Sequence, residues 1–530
     1  MFRSNHLTVL AAFFAATGLY CIVTYSLGVT APLPVSAAIV LLSAIVVVTL
    51  TARGEIGAIS FLLYAFVALS FVHLVPYLFY DWTFPAPPPT SWKPGDLVIW
   101  GLAPNPYFFD KQTIELTAEL GAAGVSGLLA GTLSYYSSVH KLRIDPPKPV
   151  PGWNIILFFL FLAISIVASK FAAPPETIFS ANYKGKGAAS EAANFASSWL
   201  ISYAILIFCF ADALLEKRGT IKNLKLGAAI ASLLYIVIWL QFARGDRESV
   251  PMVLATGVMF WHWGVPRLAD RYSTKVLLRC ATVIGVVFLL LSGQALQGLR
   301  HNMAGKSLSE TASVLKSIGE AEEPIGGSLK SKAEPPKPAS SKNQEPIRTP
   351  GDWFMKINRR IPSGTWSAVL LTPLSVAGDS LRGLLPLKWG RTYIDFLLSI
   401  PPGFVADHLG YVRPISAGKG PAVDMRYGQG GTHAIVVPFM NFRMVGVVVI
   451  LAIWGLLFSW IERSTAKSGR DTFAVPKIAV FGLAITVIPH WIWYGEKILI
   501  NGILIGGGLA LLYYMTSPRP SPCSEPKRQA

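Results

Sequence analysis

Apolar stretches of about 20 residues, long enough to cross a ~30 Å hydrocarbon core, recur along nearly the whole of this 530-residue chain. A chain built this way has lipid as its main solvent. In lipid only helices and closed barrels satisfy every backbone N–H and C=O internally, and stretches of this length read as helices. We count about twelve, near residues 7–28, 32–50, 56–80, 114–138, 153–172, 196–215, 226–243, 249–266, 274–295, 435–460, 473–493 and 497–515. The fold class expected is therefore all-α, a polytopic transmembrane helical bundle. Only 14% of the residues are charged and the mean hydropathy is +0.48, against roughly 25% charged in soluble domains. The first stretch follows Met1-Phe2-Arg3 and lacks a small-residue cleavage site, so it reads as a retained helix.

The net charge of +17 does not indicate nucleic acid, because much of the Lys and Arg sits in short loops between stretches. Arg53, Lys141, Arg143, Lys148, Lys217, Arg218, Lys222, Lys225, Arg267, Arg271, Lys275, Arg279, Arg463, Lys467 and Arg470 all fall on one side if the count is twelve. The positive-inside rule then places both termini in the cytoplasm, with residues 516–530 as a cytoplasmic tail. The four cysteines, Cys21, Cys209, Cys280 and Cys523, form neither a disulfide framework nor a zinc pattern. There is no P-loop, no His-Glu-x-x-His run and no Asp-x-Asp pair, so no metal and no cofactor is expected.

Residues 1–295 hold the first nine stretches and residues 435–515 the last three. Between them, residues 296–434 form one large extracytoplasmic segment. Residues 305–350 are too polar to bury enough surface to offset ordering entropy and read as disordered. Residues 352–434 carry Trp353, Trp366, Trp389, Tyr393 and Phe396, with apolar runs broken by Pro373, Pro386, Pro401 and Pro402. They read as short helices at the outer membrane surface. Gly127 and Gly131, in the fourth stretch, allow close helix approach, and ordinary bundle packing explains them.

The informative charges lie at the outer ends of helices. Gln241-Phe-Ala-Arg244-Gly-Asp-Arg247-Glu248 joins the seventh and eighth stretches with no real loop. Ionisable residues at such positions are costly and point to function, although a single arginine there can snorkel harmlessly to the headgroups. A guanidinium fork matches phosphate oxygens, so a pyrophosphate at the outer headgroup level is a natural ligand. Arg300, Arg391, Arg413 and Arg426 add cations, and His301, His408, His433 and His490 are among the outward candidates that offer a base toward a sugar hydroxyl.

Two segments carry a family resemblance. Pro386-Leu-Lys-Trp-Gly-Arg391-Thr-Tyr393-Ile-Asp-Phe-Leu-Leu-Ser-Ile-Pro401 resembles the "YGxTY…IP" segment of the Wzy-type oligosaccharide repeat-unit polymerases. Gly430-Gly431-Thr-His433-Ala-Ile-Val-Val-Pro-Phe-Met-Asn441-Phe442-Arg443-Met-Val-Gly446 resembles their "NFGxxG" entry into the next span, with Arg443 where the family has its first glycine. The Arg244–Arg247 hairpin resembles a helix start shared with O-antigen ligases, which also place a histidine near the position of His433. The resemblance implies a GT-C-like fold in a bacterial inner membrane, with the active site facing the periplasm or exterior. It implies a glycan on polyprenyl pyrophosphate as donor and a lipid-linked repeat unit as acceptor, with a chain-length regulator and a flippase as further partners. The site it implies has Arg244 and Arg247 on the pyrophosphate and His433 as base. Glu248, Arg300, Arg391, Tyr393, His408 and Arg413 would bind substrate, with Trp389 and Tyr393 offering faces on which sugars stack. An O-antigen ligase is the nearest alternative. A flippase or other transporter is the alternative from another class, although internal repeats and broken midplane helices are not apparent in the sequence.

Overall fold

The computed structural model describes residues 5–79, 82, 107, 110–138, 152–172, 198–217, 219–238, 249–268, 271–303, 364–399, 401, 403–412, 433–466, 473–494 and 496–517. These residues form helices and no β-strand. In chain order they are α1 (Asn5–Ser26), α2 (Leu33–Ala52), α3 (Ala58–Leu69), α4 (Lys111–Ser137), α5 (Ile155–Ala172), α6 (Ser198–Leu215), α7 (Gly219–Ile238) and α8 (Ser249–Met259). Then come α9 (Tyr272–Met303), α10 (Gly364–Leu381), α11 (Arg391–Ser399), α12 (Gly403–His408), α13 (Val436–Ala466), α14 (Ala474–Tyr494) and α15 (Glu496–Thr516). α3 continues at a 46° bend into a 3-10 segment, Val72–Phe79, and α8 runs on through a π turn, Phe260–Gly264, to Val265–Leu268.

Among the described residues seven helices are long and apolar enough to cross a membrane, or eight with α3 and its 3-10 continuation taken as one span. The seven are α1, α2, α4, α7, α13, α14 and α15, and α5 and α6 are shorter apolar helices. A helix lies in each of the twelve expected stretches. The 305–350 segment lies outside the described residues. In the stretch expected to hold short helices, α10 is 18 residues long and accommodates Pro373 in its interior.

The bundle is organised around α4. Its sequence is rich in Gly, Ala, Ser and Thr, and most of its residues are buried. Small residues matter because helices in lipid gain little from the hydrophobic effect and hold together through close packing. A Cβ at Gly127 would lie 2.3 Å from the Val448 carbonyl oxygen, and one at Gly131 would lie 2.0 Å from that of Ala452. Across the same seam a Cβ at Gly455 would lie 2.3 Å from the Leu128 carbonyl oxygen. The Gly127/Gly131 pair thus packs α4 backbone-to-backbone against α13. α1, α2, α3 and α10 also contact α4.

Polar contacts tie helix ends together, and they sort into two sets, those at ends that the twelve-stretch path puts on the basic side and those at ends that it puts on the other. In the first, Glu462 near the end of α13 accepts hydrogen bonds from Ile59 N (2.9 Å), Ser60 Oγ (3.0 Å) and Tyr136 OH (2.9 Å). It therefore caps the start of α3, where the first backbone N–H groups have no partner within the helix, and holds the end of α4. In the same set, His6 of α1 meets Glu55 after α2 at 2.6 Å. Lys225 of α7 lies 2.7 Å from Asp212 and 2.8 Å from Glu216, all with side chains fully buried. Asp212 also accepts from Trp153 N and from Tyr513 OH, both at 2.9 Å, which binds α5, α6, α7 and α15 at one place. Lys225 is thus a buried cation with two carboxylate partners and not the loop charge expected from sequence. In the second set, Thr30 donates to Glu115 at 2.8 Å, and Tyr25 and Ser380 share a hydrogen bond of 3.0 Å. There too Arg382 meets Asp110 at 3.6 Å and lies over the Tyr107 ring.

Removing one partner of a buried ion pair strands the other charge without solvation, at a cost of ~3–5 kcal/mol. Lys225→Met is therefore expected to lower the melting temperature sharply in detergent or nanodiscs. Lys217→Met, one residue beyond Glu216, is expected to have little effect. Equal melting temperatures for the two variants would contradict the assigned role of Lys225.

Candidate functional site

The break in α13 creates the most unusual local geometry among the described residues. Phe442 has φ −138° and ψ 16°, and Arg443 has φ 55° and ψ −149°. That second conformation is comfortable for glycine and costs a side-chain-bearing residue about 1–3 kcal/mol. The chain folds back at this point. A Cβ at Gly446 would sit 2.4 Å from the carbonyl oxygen of Pro438, whereas eight residues of straight helix rise about 12 Å. Ile435 and Val447 both reach Gly124 of α4, although twelve residues of helix would separate them by about 18 Å. The short stub Val436–Asn441 therefore doubles back beside the long remainder of α13.

The connector between α10 and α11 packs on this corner. Lys388 N donates to the Met440 carbonyl at 3.0 Å. The Arg443 guanidinium donates through one terminal nitrogen to the Leu385 carbonyl, and Asn441 donates through its amide to Thr392. Tyr393 stacks on Phe442 with ring centroids 6.4 Å apart and planes 11° from parallel. Trp389, at φ 50°, is 76% exposed at the turn. The following Gly390, at φ 80°, brings its α-carbon close enough to Phe442 that an added Cβ would lie 3.2 Å from that ring. The structure thus brings together the two sequence segments, 386–401 and 430–446, as far as each is described.

The candidate residues divide clearly. Arg391 and Tyr393 lie on α11. The Arg391 side chain is 79% exposed and lies 3.9 Å from Asp395, while Tyr393 belongs to the corner. His408, at the end of α12, is exposed. Arg300 falls within the helical backbone of α9. Arg244, Arg247, Glu248 and Arg413 lie outside the described residues, as do Arg426 and Trp353.

His433 is fully buried just before the stub, edge-on to Phe71. Its Nδ1 accepts the Ile435 N–H at 3.2 Å, and its Nε2 has no hydrogen-bond partner. A neutral imidazole accepting at Nδ1 carries its proton at Nε2. In this geometry His433 presents a donor, whereas the expected base needs a lone pair at that atom. His490, on α14, is buried as well, with Nδ1 3.4 Å from the Thr486 carbonyl.

No family model, no curated protein and no solved structure matches this chain. The site is therefore read from its own chemistry. Among the described residues no three His, Cys, Asp or Glu side chains are placed to hold a metal ion. The corner offers aromatic faces, an arginine and one buried amide, a set suited to binding sugars and anions. Sequence reasoning missed Arg443. Its one signal was an arginine at a position where the resembled pattern has glycine.

Within an ordinary helix, glycine to alanine stabilises by ~0.5–1 kcal/mol. Gly446→Ala is expected to do the opposite, because its Cβ meets a backbone carbonyl that has no room to move. Overpacking of this kind costs about 1–3 kcal/mol. Gly507→Ala in α15, where an added Cβ meets nothing within 4 Å, is the matched control. A melting temperature for Gly446→Ala at or above the wild type would rule out the fold-back.

Proposed function

We propose that the chain is a membrane glycosyltransferase that polymerises lipid-linked oligosaccharide repeat units, a Wzy-type polymerase with twelve spans, both termini in the cytoplasm and its site on the opposite face. One observation carries this reading. The two segments that resemble the polymerases pack against each other, and position 443, where that family has glycine, has a backbone that favours glycine. The helix-end contacts support an alternating path, since each joins only ends that such a path puts on one side.

In the proposed reaction a hydroxyl of the acceptor sugar attacks the anomeric carbon of the donor glycan. The bond from that carbon to the lipid pyrophosphate breaks, and the pyrophosphate leaves with the electron pair. Cations fixed where this charge develops stabilise the transition state, the role assigned to Arg244 and Arg247. The role of base falls to His433, and it requires the Ile435 N–H to release Nδ1, so that the ring proton moves there and Nε2 has a lone pair to take the hydroxyl proton. Arg391, Tyr393, His408 and Arg413, with Glu248 and Arg300, line the path of the sugars.

Lipid-linked repeat units supplied to the purified protein in liposomes provide the test, with chain growth as the readout. Arg244→Lys and Arg247→Lys keep the charge and lose the two-pronged geometry. Each is expected to slow chain growth about a hundredfold, matching the ~3 kcal/mol that one such contact supplies. Wild-type rates for both lysine variants would make the arginines interface anchors. Absence of chain growth by the wild-type protein would remove the polymerase reading itself.

In the same assay His433→Gln keeps an N–H donor and removes the imidazole. It is expected to lose activity as fully as His433→Ala while melting at the wild-type temperature. Substantial activity in the glutamine variant would assign His433 a donor role in place of the base.

A further inference from the structure

We infer that Arg443 is a phosphate-binding residue, and that its ligand is the phosphate or pyrophosphate group of a lipid lying in the membrane. The inference starts from an arginine in a backbone conformation that glycine would adopt without strain. The fold-back does not require a side chain there. What the side chain adds is a guanidinium held in one place. One terminal nitrogen donates to the Leu385 carbonyl, the group lies over the Phe439 ring at 5.7 Å, and the other terminal nitrogen is buried with no partner.

A second polar atom at the same corner is also unmatched. Asn441 is fully buried and its Oδ1 has no partner, although its amide nitrogen is bonded to Thr392 and to the Val437 carbonyl; that oxygen is an acceptor, so it suits a hydroxyl of the ligand and not the phosphate itself. A buried group left unpaired calls for an explanation, and a bound ligand is one. Residue 443 immediately precedes the long remainder of α13, and the first N–H groups of a helix also favour an anion. Its neighbours Phe442 and Val445 are 38% and 48% exposed on a helix long and apolar enough to cross a membrane, so the corner presents apolar surface of the kind that faces lipid. An anion reaching it from that side is one carried by a lipid.

This assignment rests on the polymerase reading for which lipid is used in the cell, so its test measures binding without turnover. The probes are a polyprenyl diphosphate without sugar, phosphatidylglycerol and inorganic pyrophosphate. Each is titrated into the full chain in nanodiscs of zwitterionic lipid, and binding is read by tryptophan fluorescence, with Trp389 exposed at the same turn. Wild type is expected to bind the polyprenyl diphosphate, or phosphatidylglycerol if ordinary headgroups are the source. Arg443→Gly is expected to weaken that binding at least tenfold while melting at or above the wild-type temperature, because the backbone strain is relieved. Arg443→Lys is expected to fall between them. An arginine that only tethers the Leu385 carbonyl predicts the reverse, a lower melting temperature with unchanged binding. That result overturns the assignment, and so does dependence on Arg443 for inorganic pyrophosphate alone. If Arg443→Gly loses lipid binding in a protein that never extends chains, the phosphate site stands without the polymerase. If the wild type extends chains and Arg443→Gly binds lipid as well as it does, the polymerase stands without this site.

Discussion

The backbone contact between α4 and α13 is the interaction on which the rest of the described bundle depends. Lipid tails are as apolar as leucine, so association of helices in a membrane needs fit more than it needs hydrophobicity. The glycines of α4 supply that fit by letting the Val448 and Ala452 carbonyls come within the space of a missing methyl group. With α4 and α13 this close, Gly124 lies beside both Ile435 and Val447, and the folded-back stub has a wall to rest on. The corner that holds Asn441, Phe442 and Arg443 is then carried at the top of the seam, where α11 and its preceding turn cover it.

Much of this architecture is legible in the sequence because apolar length is a strong signal. Each expected stretch holds a helix, and Gly127 and Gly131 announce a packing seam before its partner is known. Less legible is anything that depends on which helix lies next to which. Lys225 looks like one more loop cation after the sixth stretch, and only the approach of Asp212 and Glu216 makes it a buried partner. α10 carries a proline that argues for interruption, yet the helix continues through it. The break in α13 is hard to see in sequence because the apolar run continues on both sides of Asn441 and Arg443, and no glycine marks the positive φ at 443.

The site shows the same division. Tyr393 and His433 are singled out by sequence, but the tautomer of His433 is set by the Ile435 N–H, which no spacing rule reveals. Arg443 reads as a small departure from a pattern until its backbone angles and its unpaired nitrogen are seen together. Local sequence identifies residue types with chemical capacity. The fold decides which of them are paired off and which keep a free atom.

The stub Val436–Asn441 has a consequence for how the protein is made. Six residues are far shorter than the ~20 that a membrane-inserted helix needs, so this piece does not enter the bilayer on its own account. Its resting place beside Gly124 exists only after α4 and the long part of α13 have met. The corner is therefore a late product of assembly, completed after the crossing helices are in place. Biogenesis has two stages here, insertion of the spans and then closure of a small protein-lined niche. A chain arrested between them would have its spans inserted and this corner unformed.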